Sequence, residues 1–154
     1  PLDRYQVIHL ATHGLVVPGV PALSALVLSQ FPGERGGEDG YLRMDEIASM
    51  KLQADFVNLS ACETGLGTVY GGEGIVGLAQ AVLVAGANGV SVSLWQVADD
   101  STARLMTALY EEARRDSVGH AEALARIKRR FIRGEFGEAY RSPYHWAPFV
   151  YYGL

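Results

Sequence analysis

From Gly74 to Ala98 the chain runs for 25 residues without a charged side chain. Two settings accept such a stretch: a bilayer, which about 20 apolar residues span as a helix, or the interior of a folded domain. Gly86, Asn88 and Gly89 decide between them by placing turn chemistry in the middle. Before the turn, Ile75 to Ala85 has the length of an apolar helix. After it, Ser91 and Ser93 alternate with Val92 and Leu94 along Val90 to Trp95. The stretch is therefore predicted as a buried helix, a tight turn and a buried strand, with no membrane span.

The rest of the chain supplies partners for that unit. Tyr5 to Ala11 reads as a strand buried on both faces, and Leu23 to Gln30 as a shorter one. Phe31 to Gly40 carries a proline, four glycines and four charges, the composition of an exposed loop. Met44 to Met50 is a short helix with Asp45 and Glu46 at its positive end. Asp55 to Ala61 is a second main strand, followed by a glycine-rich loop from Gly65 to Gly74. Asp99, Asp100 and Ser101 offer N-caps for a helix to about Arg115, with Leu105, Met106, Leu109 and Tyr110 inward. His120 to Arg133 is a last helix with Leu124, Ile127 and Phe131 on one stripe, and Pro148 to Tyr152 a final strand. Alternating strands and helices argue for a mostly parallel sheet flanked by helices.

At 154 residues the chain is one domain by length, 1–154. Apolar residues at 49% and charged ones at 19% exclude wholesale disorder. A net charge of −4 leaves no basic footprint for nucleic acid. The single cysteine cannot form an internal disulfide, which favours a reducing, cytoplasmic setting. No charged n-region with an apolar core opens the chain, so no signal peptide is expected from these residues. It begins at Pro1, directly before a strand, as a piece of a longer protein would.

The chemistry concentrates at two strand ends. Tyr5 to Ala11 leads into Thr12-His13-Gly14, and the second run ends in Ser60-Ala61-Cys62-Glu63. Ligands and reactive groups gather at the carboxyl ends of strands in open α/β sheets. A thiol becomes a strong nucleophile only as thiolate, and a nearby imidazole takes its proton. Alone, Cys62 reads as a small buried hydrophobe and His13 as a satisfied core histidine. Together, at matching strand ends, they read as a catalytic dyad, and the backbone amides of Cys62 and Gly14 as donors to an oxyanion. The step from position 13 to position 62 is also close to the roughly 50-residue His-to-Cys spacing of caspases.

His-Leu-Ala-Thr-His-Gly, Leu-Ser-Ala-Cys-Glu-Thr-Gly, Gly-Glu-Gly-Ile-Val-Gly-Leu, Ser-Leu-Trp-Gln-Val-Ala-Asp and the closing His-Trp-Ala-Pro-Phe-Val-Tyr-Tyr-Gly occur in that order between Tyr5 and Gly153. In these motifs the chain resembles the CHAT domain, a caspase/separase-like cysteine peptidase family often fused to TPR repeats. The resemblance implies a caspase-like three-layer sandwich, lacking the strands that usually precede the histidine strand, with His13 and Cys62 as the dyad. It implies cysteine endopeptidase activity on a protein or peptide substrate, an upstream TPR-like regulatory domain, and no cofactor, metal or membrane. Leu-Trp-Gln-Val-Ala-Asp looks like the separase stretch that lends an acid to the P1 pocket. That makes Asp99 a substrate-binding candidate for a basic P1 residue, with Trp95 and Glu63 beside it. Asp99 reads equally well as a helix N-cap, and Trp95 and Trp146 as core aromatics. A silent CHAT-like interaction module remains the competing reading.

Other motifs fail on geometry. Gly72-x-Gly74-x-x-Gly77 starts too far after the strand for a dinucleotide turn. His9 and His13 lack a zincin glutamate and lie on a strand, where four-residue spacing does not bring side chains together. The Asn58-Leu59-Ser60 sequon lies in a buried strand.

Overall fold

A computed structural model describes residues 2–17, 20–29, 39–63 and 73–153. Strands Val7–Leu15 (β1), Ala25–Val27 (β2), Tyr41–Arg43 (β3), Phe56–Glu63 (β4), Gly89–Ser93 (β5) and Phe149–Gly153 (β6) form one sheet. Their order across it is β3-β2-β1-β4-β5-β6. Helices Met44–Ser49 (α1), Glu73–Val84 (α2), Asp99–Asp116 (α3) and His120–Ile132 (α4) complete the set of elements, which is the α/β class expected. The sheet is mixed: β1 runs parallel to β4 and β4 to β5, while β1-β2 and β2-β3 are antiparallel. The chain divides into two compact units, Pro1–Leu94 with Tyr151–Leu154, and Trp95–Val150.

In the first unit the uncharged stretch resolves into α2, a turn and β5. All five residues of β5 are buried, Ser91 and Ser93 included. Helix α2 packs against α1, β4 and β5, and its Ile75, Leu78 and Val82 meet a core that includes Leu26, Val57, Leu59 and Val92. Gly74 and Gly77 have a packing role there. A Cβ at Gly74 would strike the Val16 side chain, and one at Gly77 the Met44 methyl. Two glycines of the apparent nucleotide motif thus permit close helix packing. At Gly86 the chain takes φ +109°, and a Cβ would hit the Leu52 carbonyl, so only glycine fits this turn. Hydrogen bonds from Leu52 to the Ala85 carbonyl (2.7 Å) and from Asn88 to the Ala54 carbonyl (2.9 Å) tie the turn to the segment leading into β4.

Three expectations for this unit change. Strand β1 is not buried on both faces: Ile8 and Gly14 are buried, while Val7 is 44% exposed and His9, Ala11 and His13 are exposed beside it. Strand β3 was missed, because three residues are too few to show a period. Strand β2 is likewise confined to Ala25–Val27 by its antiparallel partners. The loop expected at 31–40 falls outside the described residues except at Asp39 and Gly40. The one expected at 65–74 falls outside them too, apart from Glu73 and Gly74, which open α2.

In the second unit, α3 and α4 pack on each other across the short link at 117–119. Ser117 adopts the left-handed conformation (φ 49°) that ends α3. Leu105, Met106 and Leu109 face inward from α3, as do Leu124, Ile127 and Phe131 from α4. Burial pushes the Tyr110 hydroxyl up to about 12. Glu112 is buried and answered by Arg115 at 2.9 Å and Arg126 at 3.4 Å, which offsets the cost of its desolvation. Among the described residues, no helix is long and apolar enough to cross a membrane.

Candidate active site

Strands β1 and β4 pair in parallel through eight residues, and the pairing reaches the positions the sequence nominates. Ala11 is the register partner of Ser60, Thr12 of Ala61, His13 of Cys62 and Gly14 of Glu63. Neighbouring strands lie about 4.8 Å apart, so His13 and Cys62 stand side by side at one level of the sheet. The sequence predicts both just beyond their strands, but the strands continue through them to Leu15 and Glu63. The cause is β2, whose Ala25, Leu26 and Val27 pair with Leu15, Gly14 and His13 and hold this end of β1 in the ladder. The Thr12 hydroxyl also donates to the Val27 carbonyl. His13 is fixed by a strand on each side while its side chain is exposed.

Gly14 changes most in environment. It is buried and register-paired with Leu26 on one side and Glu63 on the other, so its amide belongs to a ladder position rather than an open loop.

Further down these strands lies a polar row whose role sequence reasoning missed. His9, Asn58 and Ser91 occupy one register level across β1, β4 and β5. The Ser60 hydroxyl accepts an N–H from Asn58 at 2.6 Å and meets His9 Nε2 at 3.0 Å. Asn58 Oδ1 and Ser91 Oγ are buried without a hydrogen-bond partner among the described residues. The signal was present: Asn58 and Ser60 are polar residues two apart in an apolar strand, hence on one face. His9 is exposed at its outer edge, yet its neighbours desolvate it enough to lower its pKa from 6.5. Protonating it therefore favours the unfolded chain. The stability that neutral His9 contributes is present above pH 6.5 and is lost as pH falls through its lower folded value. Urea midpoints measured between pH 8 and pH 5 should decline less steeply on the acid side in His9→Gln than in the native chain.

Trp95 and Asp99 belong to the second unit. Trp95 is 39% exposed and its indole N–H donates to the Tyr144 carbonyl at 3.3 Å. Trp146 donates likewise to the Arg141 carbonyl at 3.1 Å. None of the three expected residues caps α3. The cap is Ala98, without a side-chain hydrogen bond, and Asp99 and Asp100 are the first residues of the helix. The Asp100 carboxylate accepts the Tyr140 hydroxyl and pairs with Arg104 at 3.1 Å, and these partners hold it below its usual range. Ser101 turns back to the Ala98 carbonyl at 2.9 Å. Asp99 is exposed and has no hydrogen bond or ion pair among the described residues.

The structure thus brings His13 and Cys62 to one level of one sheet and Gly14 and Glu63 to the next, with Trp95 and Asp99 opening the other unit. No curated protein matches the chain. The CHAT domain family model matches it over residues 1–154, its whole length. A histidine and a cysteine in register at the ends of parallel strands accord with that match, and the chain belongs to the CHAT domain family, which is related to the caspase-like cysteine peptidases.

Proposed function

We propose that the chain is a cysteine endopeptidase working through His13 and Cys62. The observation that carries this reading is their register partnership on β1 and β4. Backbone pairing of both positions supports it, since nucleophilic catalysis needs its two groups held in place. In this reading the His13 imidazole takes the Cys62 thiol proton, and the thiolate attacks the scissile carbonyl carbon. The developing oxyanion falls to the backbone amides of Cys62 and Gly14, Gly14's being one that the ladder must release. When the C–N bond breaks, the His13 imidazolium protonates the departing amine and a thioacyl-enzyme remains. Water then attacks the thioester, giving a proton to His13, and the thiolate leaves and is reprotonated.

Asp99 is proposed to select an Arg or Lys at P1 through a charge-assisted pair, with Trp95 and Glu63 as flanking contacts. The absence of a capping bond from Asp99 supports this, since the structural task that competed for it belongs to no side chain. A reducing compartment such as the cytoplasm would keep Cys62 a thiol, and an upstream TPR-like domain would govern access. The test is digestion of a peptide library, with new termini read by mass spectrometry. Cleavage should occur with the native chain and fall about 10²–10⁴-fold in His13→Ala, the usual worth of a general acid–base. No cleavage by a folded native chain would leave the interaction-module reading.

A further inference from the structure

The start of α3 poses a problem the helix does not solve itself. It is an 18-residue helix whose cap, Ala98, has no side chain able to accept from the first-turn amides. What holds this end comes from residues 138–146, two short 3₁₀ turns and the step after them. Ser101 is fully buried, and its hydroxyl donates to the Ala98 carbonyl at 2.9 Å and meets His145 Nδ1 at 3.1 Å. A serine hydroxyl has one proton. With that proton on Ala98, the bond to His145 needs a hydrogen on Nδ1. The His145 ring is flanked edge-on by Tyr140 (centroids 5.4 Å apart, 71°) and Tyr144 (5.3 Å, 84°). Each tyrosine grips the same stretch of chain on its own account. The Tyr140 hydroxyl donates to Asp100, with Arg104 lying over its ring at 5.0 Å, and the Tyr144 carbonyl accepts from the Trp95 indole. Trp95, Ala98, Asp100 and Ser101 are all fixed by this cluster, while Asp99 among them is exposed.

We infer that His145, as the Nδ1–H tautomer, is a positioning residue for P1 selection: it fixes the Trp95-to-Ser101 segment so that the Asp99 carboxylate is presented in one place. The inference rests on the proposed role of Asp99. Its logic is preorganisation, in which a charge that must meet a substrate cation is held by groups that never touch the substrate. His145 acts at the hub because it joins the helix start, through Ser101, to both tyrosines.

The tautomer makes the test specific. Asparagine places an N–H donor close to where Nδ1–H lies, aspartate places an acceptor there, and leucine places neither. His145→Leu and His145→Asp should raise KM for a basic-P1 peptide about tenfold, the factor one hydrogen bond is worth, with kcat changed little. His145→Asn should stay close to the native value. Hydrogen exchange at amides 96–101, measured without substrate, should speed up in the leucine and aspartate variants and not in the asparagine one. Ser101→Ala should reproduce His145→Leu, and the double variant should add little to either. Asparagine behaving like leucine, kcat and KM moving together, or unaltered exchange would each overturn the inference, as would an unfolded His145→Leu together with an Asn variant of native exchange but raised KM. Because exchange is read without catalysis, the two failures separate. If Asp99→Asn leaves the P1 preference unchanged, the role of Asp99 falls whatever the exchange shows, and His145's part in specificity falls with it.

Discussion

Replacing Cys62 by alanine should lower peptide hydrolysis by at least about 10⁴-fold, the scale seen when a covalent nucleophile is removed, while the thermal midpoint stays near that of the native chain. The loss is large because no neighbour on β4 offers a second nucleophile in register with His13: the residue opposite Gly14 is Glu63, and the one opposite Thr12 is Ala61. The small effect on stability separates this from a packing role. Cutting back a side chain on which the core depends costs about 2–5 kcal/mol. A variant that unfolds by that much, or one that still hydrolyses peptides, would take the nucleophile's role from Cys62.

Asp99→Asn should reduce kcat/KM for a basic-P1 peptide by well over tenfold, since truncating one partner of a desolvated charge pair costs roughly 2–5 kcal/mol. A peptide with an uncharged P1 should lose little. The α3 cap sharpens the experiment. Ala98 caps the helix, so the substitution removes no capping bond and withdraws only one first-turn charge from the helix dipole, worth about 0.3–1 kcal/mol of stability. Equal losses on both peptides would return Asp99 to a structural task. No loss on either would move the acid to Glu63 or Asp100, and Asp100 is already engaged by Tyr140 and Arg104.

The elements that could be read from sequence are those whose pattern is local and long. The two helices of the second unit show their stripes over 13 and 18 residues, and Leu105, Leu109, Ile127 and Phe131 are buried as that period demands. The core of β4 was legible because Phe56, Val57 and Leu59 announce a strand without help from a partner. What failed depends on distant residues. The continuation of β1 through His13 and Gly14 follows from pairing with β2, about a dozen residues away across a turn, and glycine's usual role as a strand breaker gave way to it. The helix start at Asp99 offered three good capping residues in a row, yet the chain uses none of them, because Ser101 is drawn to Ala98 and His145 and Asp100 to Tyr140. The candidate dyad was legible as two residues at two strand ends. Their register was not, because the offset of parallel strands is set by the whole connection between them, here through β2, β3 and α1.

The native chain and its His13→Ala variant are incubated with a peptide bearing a basic P1 residue and a thiol-reactive electrophile, and the adduct is located by mass spectrometry. If His13 activates Cys62, the native chain takes up one label, on Cys62, far faster than a free thiol does at the same pH, and His13→Ala falls to the free-thiol rate. Labelling at the same rate in both chains, or none in a folded native chain, would contradict it.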